Sequence, residues 1–188
     1  SECIDKAAEA IDWGKKEEPE TAGRVTGKAI SIFWKGPAMP PNAGSAAFLK
    51  FNEDGSLNIA VSGMEIGQGY LTVMAQIAAE VLTVPIEKIR VETPDTDRNA
   101  YEWQTVGSHV TWSCGNAVKN AAVDVRDKIF ELINRVYSYP IDSIYLEDEA
   151  VKSHSDPEFS LPLKDFVIYG IMMEDGTFRG GPILGSGM

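Results

Sequence analysis

Residues 45–82 read SAAFLKFNEDGSLNIAVSGMEIGQGYLTVMAQIAAEVL. The first half alternates between apolar and polar positions around the turn sequence NEDG, residues 52–55. SAAFLKF and SLNIAVS on either side predict a β-hairpin, with Leu57, Ile59 and Val61 on one face. The second half changes period. Gln68, Thr72, Gln76 and Glu80 recur every four residues, and Leu71, Val73, Met74, Ile77, Val81 and Leu82 fill the space between them. That spacing predicts a helix over about 69–83, wrapped by protein on most of its circumference. Gly67-Gln68-Gly69 stands between hairpin and helix. One glycine suffices for a turn, whereas two around a polar residue let something approach the backbone closely. Helix N-termini also carry unpaired N–H groups and partial positive charge. The segment therefore reads either as a structural turn or as an anion site. It is neither GxGxxG nor a P-loop, because no third glycine and no Lys-Ser/Thr follow.

Working outward, Pro85 precedes KIRVETP (88–94), a short strand. The strand–helix–strand unit over 57–93 is expected to cross over right-handed. Residues 94–114, PDTDRNAYEWQTVGSHVTWSC, lack periodicity and predict a long functional loop. A second helix is expected over about 116–136, with Val118, Ala121, Ala122, Val125, Ile129, Leu132, Ile133 and Val136 as its apolar stripe. Its entrance, QTVGSHVTWSCGNAV (104–118), is a second small-residue doorway, where Ser108, Thr111 and Ser113 suit capping or oxygen ligands.

Upstream, VTGKAISIFWKG (25–36) reads as a strand, and PAMPPNAG (37–44) as neither helix nor central strand. Ile4, Ala7, Ala8 and Ile11 have helical spacing before Gly14, and a charged linker follows. This divides the chain into an N-terminal helix and linker, 1–23, and a main domain, 24–188. Downstream, LPLKDFVIYG (161–170) suggests a helix and MEDGTF (173–178) a second hairpin turn. GGPILGSGM (180–188) reads as the unstructured edge of a cut piece. Together these elements predict an α+β fold, a two-layer sandwich of a mixed sheet packed by two main helices.

The chain has 188 residues, a net charge of −11 and a hydrophobic fraction of 44%. Its acidity argues against nucleic acid and anionic membranes as partners. An anionic ligand would be held by backbone N–H groups and helix ends rather than a basic patch. Two cysteines, Cys3 and Cys114, and two histidines, His109 and His154, form no zinc spacing or disulfide framework, which suits a reduced, cytoplasmic protein. No apolar run approaches the ~20 residues of a membrane span. Asp95 and Asp97 read as turn residues or paired carboxylates. Ser108 beside His109 invites a nucleophile–base pair, but no GxSxG elbow surrounds them. Cys114 reads as a helix-start nucleophile or a small buried hydrophobe. Met64 and Met74 are expected in the core.

GMEIGQGYLTVMAQIAAEVLTVPIEKIRVETPDTD (63–97), TVGSHVTWSCGNAVKNAA (105–122) and the upstream GKAISIFWKGPAMPPNAGSAAFLKFNEDGSLNIAVSG (27–63) together resemble the molybdenum-cofactor-binding region of the xanthine dehydrogenase and aldehyde oxidase family. The resemblance implies a molybdenum hydroxylase. In that family a molybdenum centre held by a pterin dithiolene hydroxylates an N-heterocycle or aldehyde carbon with water-derived oxygen. It implies the molybdopterin cofactor, expected in its cytosine dinucleotide form, with iron–sulfur clusters and FAD on partner domains or subunits. Gly67, Gln68 and Gly69 would contact the cofactor, as would Thr105, Val106, Gly107 and Ser108. No side chain ligates the metal in this family. His109 departs from the small residue or arginine that many relatives carry. The family's catalytic glutamate, in a late Gly-Glu motif, and a Gly-Phe segment that contacts the cofactor have no counterpart before Met188. The chain is therefore expected to be one piece of the molybdenum subunit, without a catalytic residue and inactive alone. The rival readings are a non-catalytic α+β interaction domain and a hydrolase using Ser108 or Cys114.

Overall fold

The computed structural model describes residues 2–16, 21–33, 36, 43–92 and 94–188. They fall into two compact units, Ser1–Pro37 and Ala38–Met188. In the first unit, helix α1 (Glu2–Ala10) buries none of its residues. Of the strand expected over 25–36, the described residues 25–33 have no regular structure. Val25 is 96% exposed and Phe33 94%. A strand exists only when a neighbour takes up its N–H and C=O groups, and alternation alone supplies no neighbour. Most of PAMPPNAG lies outside the described residues.

The second unit begins with the expected hairpin. Strands β1 (Ala47–Phe51) and β2 (Leu57–Val61) pair antiparallel, with Ala47 opposite Val61 and Phe51 opposite Leu57. The Asp54 carboxylate accepts the Ser56 N–H at 2.9 Å and closes the turn. Helix α2 (Tyr70–Leu82) and strand β3 (Ile89–Val91) follow, β3 running parallel to β2. Helix α3 (Val110–Tyr137) comes next. The antiparallel trio β4 (Ile144–Glu147), β5 (Ala150–Ser153) and β6 (Ser160–Pro162) forms a small separate sheet. Strands β7 (Ile171–Met172) and β8 (Phe178–Arg179) flank the MEDGTF turn. Strand β9 (Leu184–Gly187) returns to pair antiparallel with β1. The main sheet thus has the order β3-β2-β1-β9.

One face of this sheet carries Ala47, Leu49, Phe51, Leu57, Ile59 and Val61, all buried. They pack on Met74, Ala78 and Leu82 of α2 and on Ala117, Ala121, Val125 and Ile129 of α3. The architecture is the α+β layer of mixed sheet and two helices that the patterns implied. The polar stripe of Thr72, Gln76 and Glu80 is exposed as expected.

Three local expectations change. α3 begins at Val110 rather than near 116, so Trp112, Ser113 and Cys114 are helical. The segment 161–170 forms β6 and one 3₁₀ turn, Leu163–Asp165, because Pro162 holds an extended backbone. The glycine-rich end is a strand that lies on α3. A Cβ on Gly185 would collide with the Ala121 carbonyl, and one on Gly187 with the Ala117 carbonyl. These glycines serve close packing rather than chain reversal.

Candidate functional site: two loops joined at the helix entrances

The first loop leaves β2 at Ser62 and enters α2 at Tyr70. Gly63 has no room for a side chain, because a Cβ there would meet the Tyr70 ring. The Tyr70 hydroxyl accepts the Gly63 N–H at 2.9 Å. Burial, with the Cys114 thiol beside it, pushes the Tyr70 phenol well above its ordinary range. Gly67 and Gly69 have φ of 100° and 78°, the left-handed region that suits glycine. Nothing lies within 4 Å of the place a Cβ would take at either. The turn therefore presents bare backbone outward, as a ligand cradle requires.

Within the turn, Gln68 folds back on the chain. Its Oε1 accepts the Ile66 N–H at 2.7 Å, and its Nε2 donates to the Met64 carbonyl at 2.8 Å. Glu65 does more. Its Oε1 accepts the N–H groups of Gly67 at 2.8 Å and Gly69 at 3.1 Å, and its Oε2 accepts that of Leu71 at 3.4 Å. Desolvation opposes the charge, but these donors outweigh it and hold the Glu65 carboxyl below the usual carboxylate range. The unpaired N–H donors expected at this helix entrance are thus met by a carboxylate of the chain itself. Sequence reasoning missed this residue, although an acid five positions before a helix was its signal. Met64 is 53% exposed at this loop and is not core, whereas Met74 is buried as expected.

The second loop reaches the first where the Met64 N–H donates to Thr105 Oγ1 at 2.7 Å and the Ser62 hydroxyl donates to the Ala100 carbonyl. This sets Thr105 beside Met64, three residues before the Gly-Gln-Gly turn. Gly107 and Ser108 both have positive φ, 62° and 57°. His109 clamps the loop: its Nδ1 lies 2.8 Å from Ser113 Oγ and its Nε2 contacts the Gln104 carbonyl. A carbonyl only accepts, so Nε2 carries the proton. A groove of about 460 Å³ runs beside this junction, lined by Met64, Asp95, Asn99, Glu102, Trp103 and Thr105 among others. Neither 63–76 nor 104–118 contains Lys or Arg. A bound molecule in this groove would meet hydroxyl, amide and carboxyl side chains rather than a basic one.

Behind the second loop lies a buried polar cluster that the sequence did not announce. Glu102 Oε2 accepts the Ser45 hydroxyl and lies 3.0 Å from Cys114 Sγ. Its Oε1 is buried without a hydrogen-bond partner among the described residues. Burial, and then the hydrogen bond to the Glu102 carboxylate, push the Cys114 thiol up to about 11. The Ser45–Glu102 bridge fastens the loop to the chain entering β1.

Hydrolase chemistry finds no support in this geometry. Both His109 nitrogens are committed away from Ser108. Cys114 is fully buried and protonated at neutral pH. Asp95 serves a turn, accepting the Asp97 N–H at 2.9 Å. No group of three or more His, Cys, Asp or Glu that could hold a metal occurs among the described residues. No helix among them is long and apolar enough to cross a membrane.

A family profile described as "Molybdopterin cofactor-binding domain" matches residues 6–180. The chain belongs to this family. Its curated relatives include the nicotine 6-hydroxylase large subunit of Paenarthrobacter nicotinovorans, 29% identical over 161 residues, covering 78% of this chain and 20% of that protein. They also include the xanthine dehydrogenase molybdenum-binding subunit of Escherichia coli O157:H7, 29% identical over 134 residues, covering 68% of this chain and 18% of that protein. The chain therefore spans about a fifth of the length of these relatives. Among solved structures, quinoline 2-oxidoreductase from Pseudomonas putida 86 shares the fold with a TM-score of 0.66 at 24% identity, over 78% of this chain and 19% of that one.

Proposed function

We propose that this domain holds part of the molybdopterin cofactor in a molybdenum hydroxylase acting on an N-heterocycle or aldehyde carbon. Bound there, the cofactor would supply hydroxylation chemistry with oxygen drawn from water. The chain's own residues bind and orient. Gly67, Gln68 and Gly69 would offer one face of bare backbone. Thr105, Val106, Gly107 and Ser108 would offer hydroxyl and amide donors on the other. The observation that carries this reading is the Met64–Thr105 hydrogen bond, which sets both loops at one junction.

The wider assembly follows from the same reading. The rest of a molybdenum subunit would complete the cofactor site and supply the catalytic acid–base residue. Iron–sulfur clusters and FAD on partner domains or subunits would carry the electrons away. A cytosine dinucleotide form of the pterin is the form we favour. The test is Gly69→Val in the full-length subunit. A β-branched residue at φ 78° is strained, and its side chain would enter the open space above the turn. Molybdenum content by mass spectrometry should fall to background while the circular dichroism spectrum is retained. Normal molybdenum content in a folded variant would sink the assignment.

A further inference from the structure

Strand β9 forms one edge of the main sheet, with β1 as its neighbour. Successive residues of a strand turn their N–H and C=O groups to opposite sides. On the side away from β1, three of these groups are taken by side chains of α3. Lys128 Nζ donates to the Leu184 carbonyl at 2.8 Å. The Asp124 carboxylate accepts the Ser186 N–H at 3.0 Å. Asn120 Nδ2 donates to the Met188 carbonyl at 2.7 Å. Lys128 and Asp124 are also bonded to each other at 2.7 Å. The row can do this because its spacing fits. Asn120, Asp124 and Lys128 lie four residues apart on α3, and their partners lie two residues apart on β9 in the reverse order. Four helical residues rise about 6 Å and two strand residues about 6.6 Å, so the rows stay in step. Gly185 and Gly187, bare against the Ala121 and Ala117 carbonyls, bring the strand within reach of these side chains.

An uncovered edge strand is a template for a further strand, and two copies of one strand paired antiparallel are self-complementary about a twofold axis. We propose that Asn120, Asp124 and Lys128 stand in for a fifth strand and close the β9 edge against antiparallel pairing with the β9 of a second copy of this chain. While the row holds, the Ser186 N–H at the centre of the edge is spoken for. Without it, that donor and the Leu184 and Met188 carbonyls are left for the partner copy. The inference does not depend on what the two loops bind.

The experiment is sedimentation velocity of the 188-residue chain over a concentration series. The unaltered chain should remain a monomer. The triple variant Asn120→Ala, Asp124→Ala, Lys128→Ala retains good helix formers on α3 and should shift to a dimer as concentration rises. Adding Ser186→Pro removes the central edge donor and should restore the monomer. Should the triple variant fail to fold, Asp124→Ala alone frees the Ser186 N–H and should dimerise, whereas Asp124→Asn keeps an acceptor oxygen and should not. A monomeric triple variant would overturn the proposal, as would a monomeric Asp124→Ala where the triple variant does not fold. So would a dimer that survives Ser186→Pro, or an unaltered chain that dimerises until Ser186→Pro is introduced.

Discussion

The Tyr70 hydroxyl accepts the Gly63 N–H at 2.9 Å, and its ring fills the space a side chain at position 63 would need. The two residues clasp both ends of the Gly-Gln-Gly loop. Tyr70→Phe keeps the ring but leaves a buried N–H unpaired, which costs about 1–3 kcal/mol. Urea unfolding should show a lower midpoint with an unchanged slope. An unchanged midpoint would mean that water reaches the Gly63 N–H and that the clasp is not buried.

The two thiols should react very differently. Cys3 is exposed and Cys114 buried. With its pKa pushed up to about 11, Cys114 is overwhelmingly thiol at pH 8. Ellman's reagent at pH 8 should therefore titrate one thiol in the native chain and two after denaturation. Rapid native modification of both would show that the Ser45–Glu102–Cys114 cluster opens to solvent.

Glu65 ties the order of the α2 entrance to pH. Its folded pKa is depressed, so its contribution is complete above the ordinary carboxylate range and is lost as pH falls through the lower, folded value. Hydrogen exchange at Gly69 and Leu71, corrected for intrinsic rates, should keep constant protection from pH 7 to about 5, above the ordinary Glu value of ~4.3. Protection should then decline in more acidic solution. Glu65→Gln should abolish that decline. An acid decline of the same size in Glu65→Gln would contradict the hydrogen-bond assignment.

Gly187→Val tests whether the last strand is integral to the core. The new side chain would collide with the Ala117 carbonyl and the Ala121 amide of α3. Overpacking of this kind costs about 1–3 kcal/mol, and more where the obstacle is backbone. The melting temperature should drop by several degrees, roughly the 2–8 °C per kcal/mol typical of domains this size and smaller. Ser186→Val is the control, because Ser186 is exposed on the same strand. Equal melting temperatures for the two variants would place β9 off the helix.

The hairpin and α2 were legible because local signals agreed: a turn sequence at 52–55, then strict alternation, then a four-residue polar period. Two misreadings have one cause. Gly115, Gly185 and Gly187 look like breakers, yet each sits where elements approach closely. A Cβ on Gly115 would lie 3.0 Å from Ile77 Cδ1, so the glycine lets α3 seat against α2. Such roles depend on partners far away in sequence, which no local pattern carries. The opposite error occurred at 25–33, which read as a strand but has no partner strand among the described residues. The site divided similarly. Loop positions followed from glycine and serine placement, while Glu65 and Glu102 became meaningful only once their donors were in place.

The position of β9 also constrains how the molecule is made. During synthesis the β1–β2 hairpin can close as soon as residue 61 has emerged, since its contacts are local. The outer edge of β1 must then wait, with its backbone groups unsatisfied, until residues 184–187 arrive. Joining segments so far apart is entropically expensive and slows folding. In that interval the nascent chain displays an open strand edge containing Phe48 and Leu49, the kind of surface that recruits foreign strands or chaperones. Ribosome-bound chains arrested before and after residue 187 should differ sharply in chaperone occupancy.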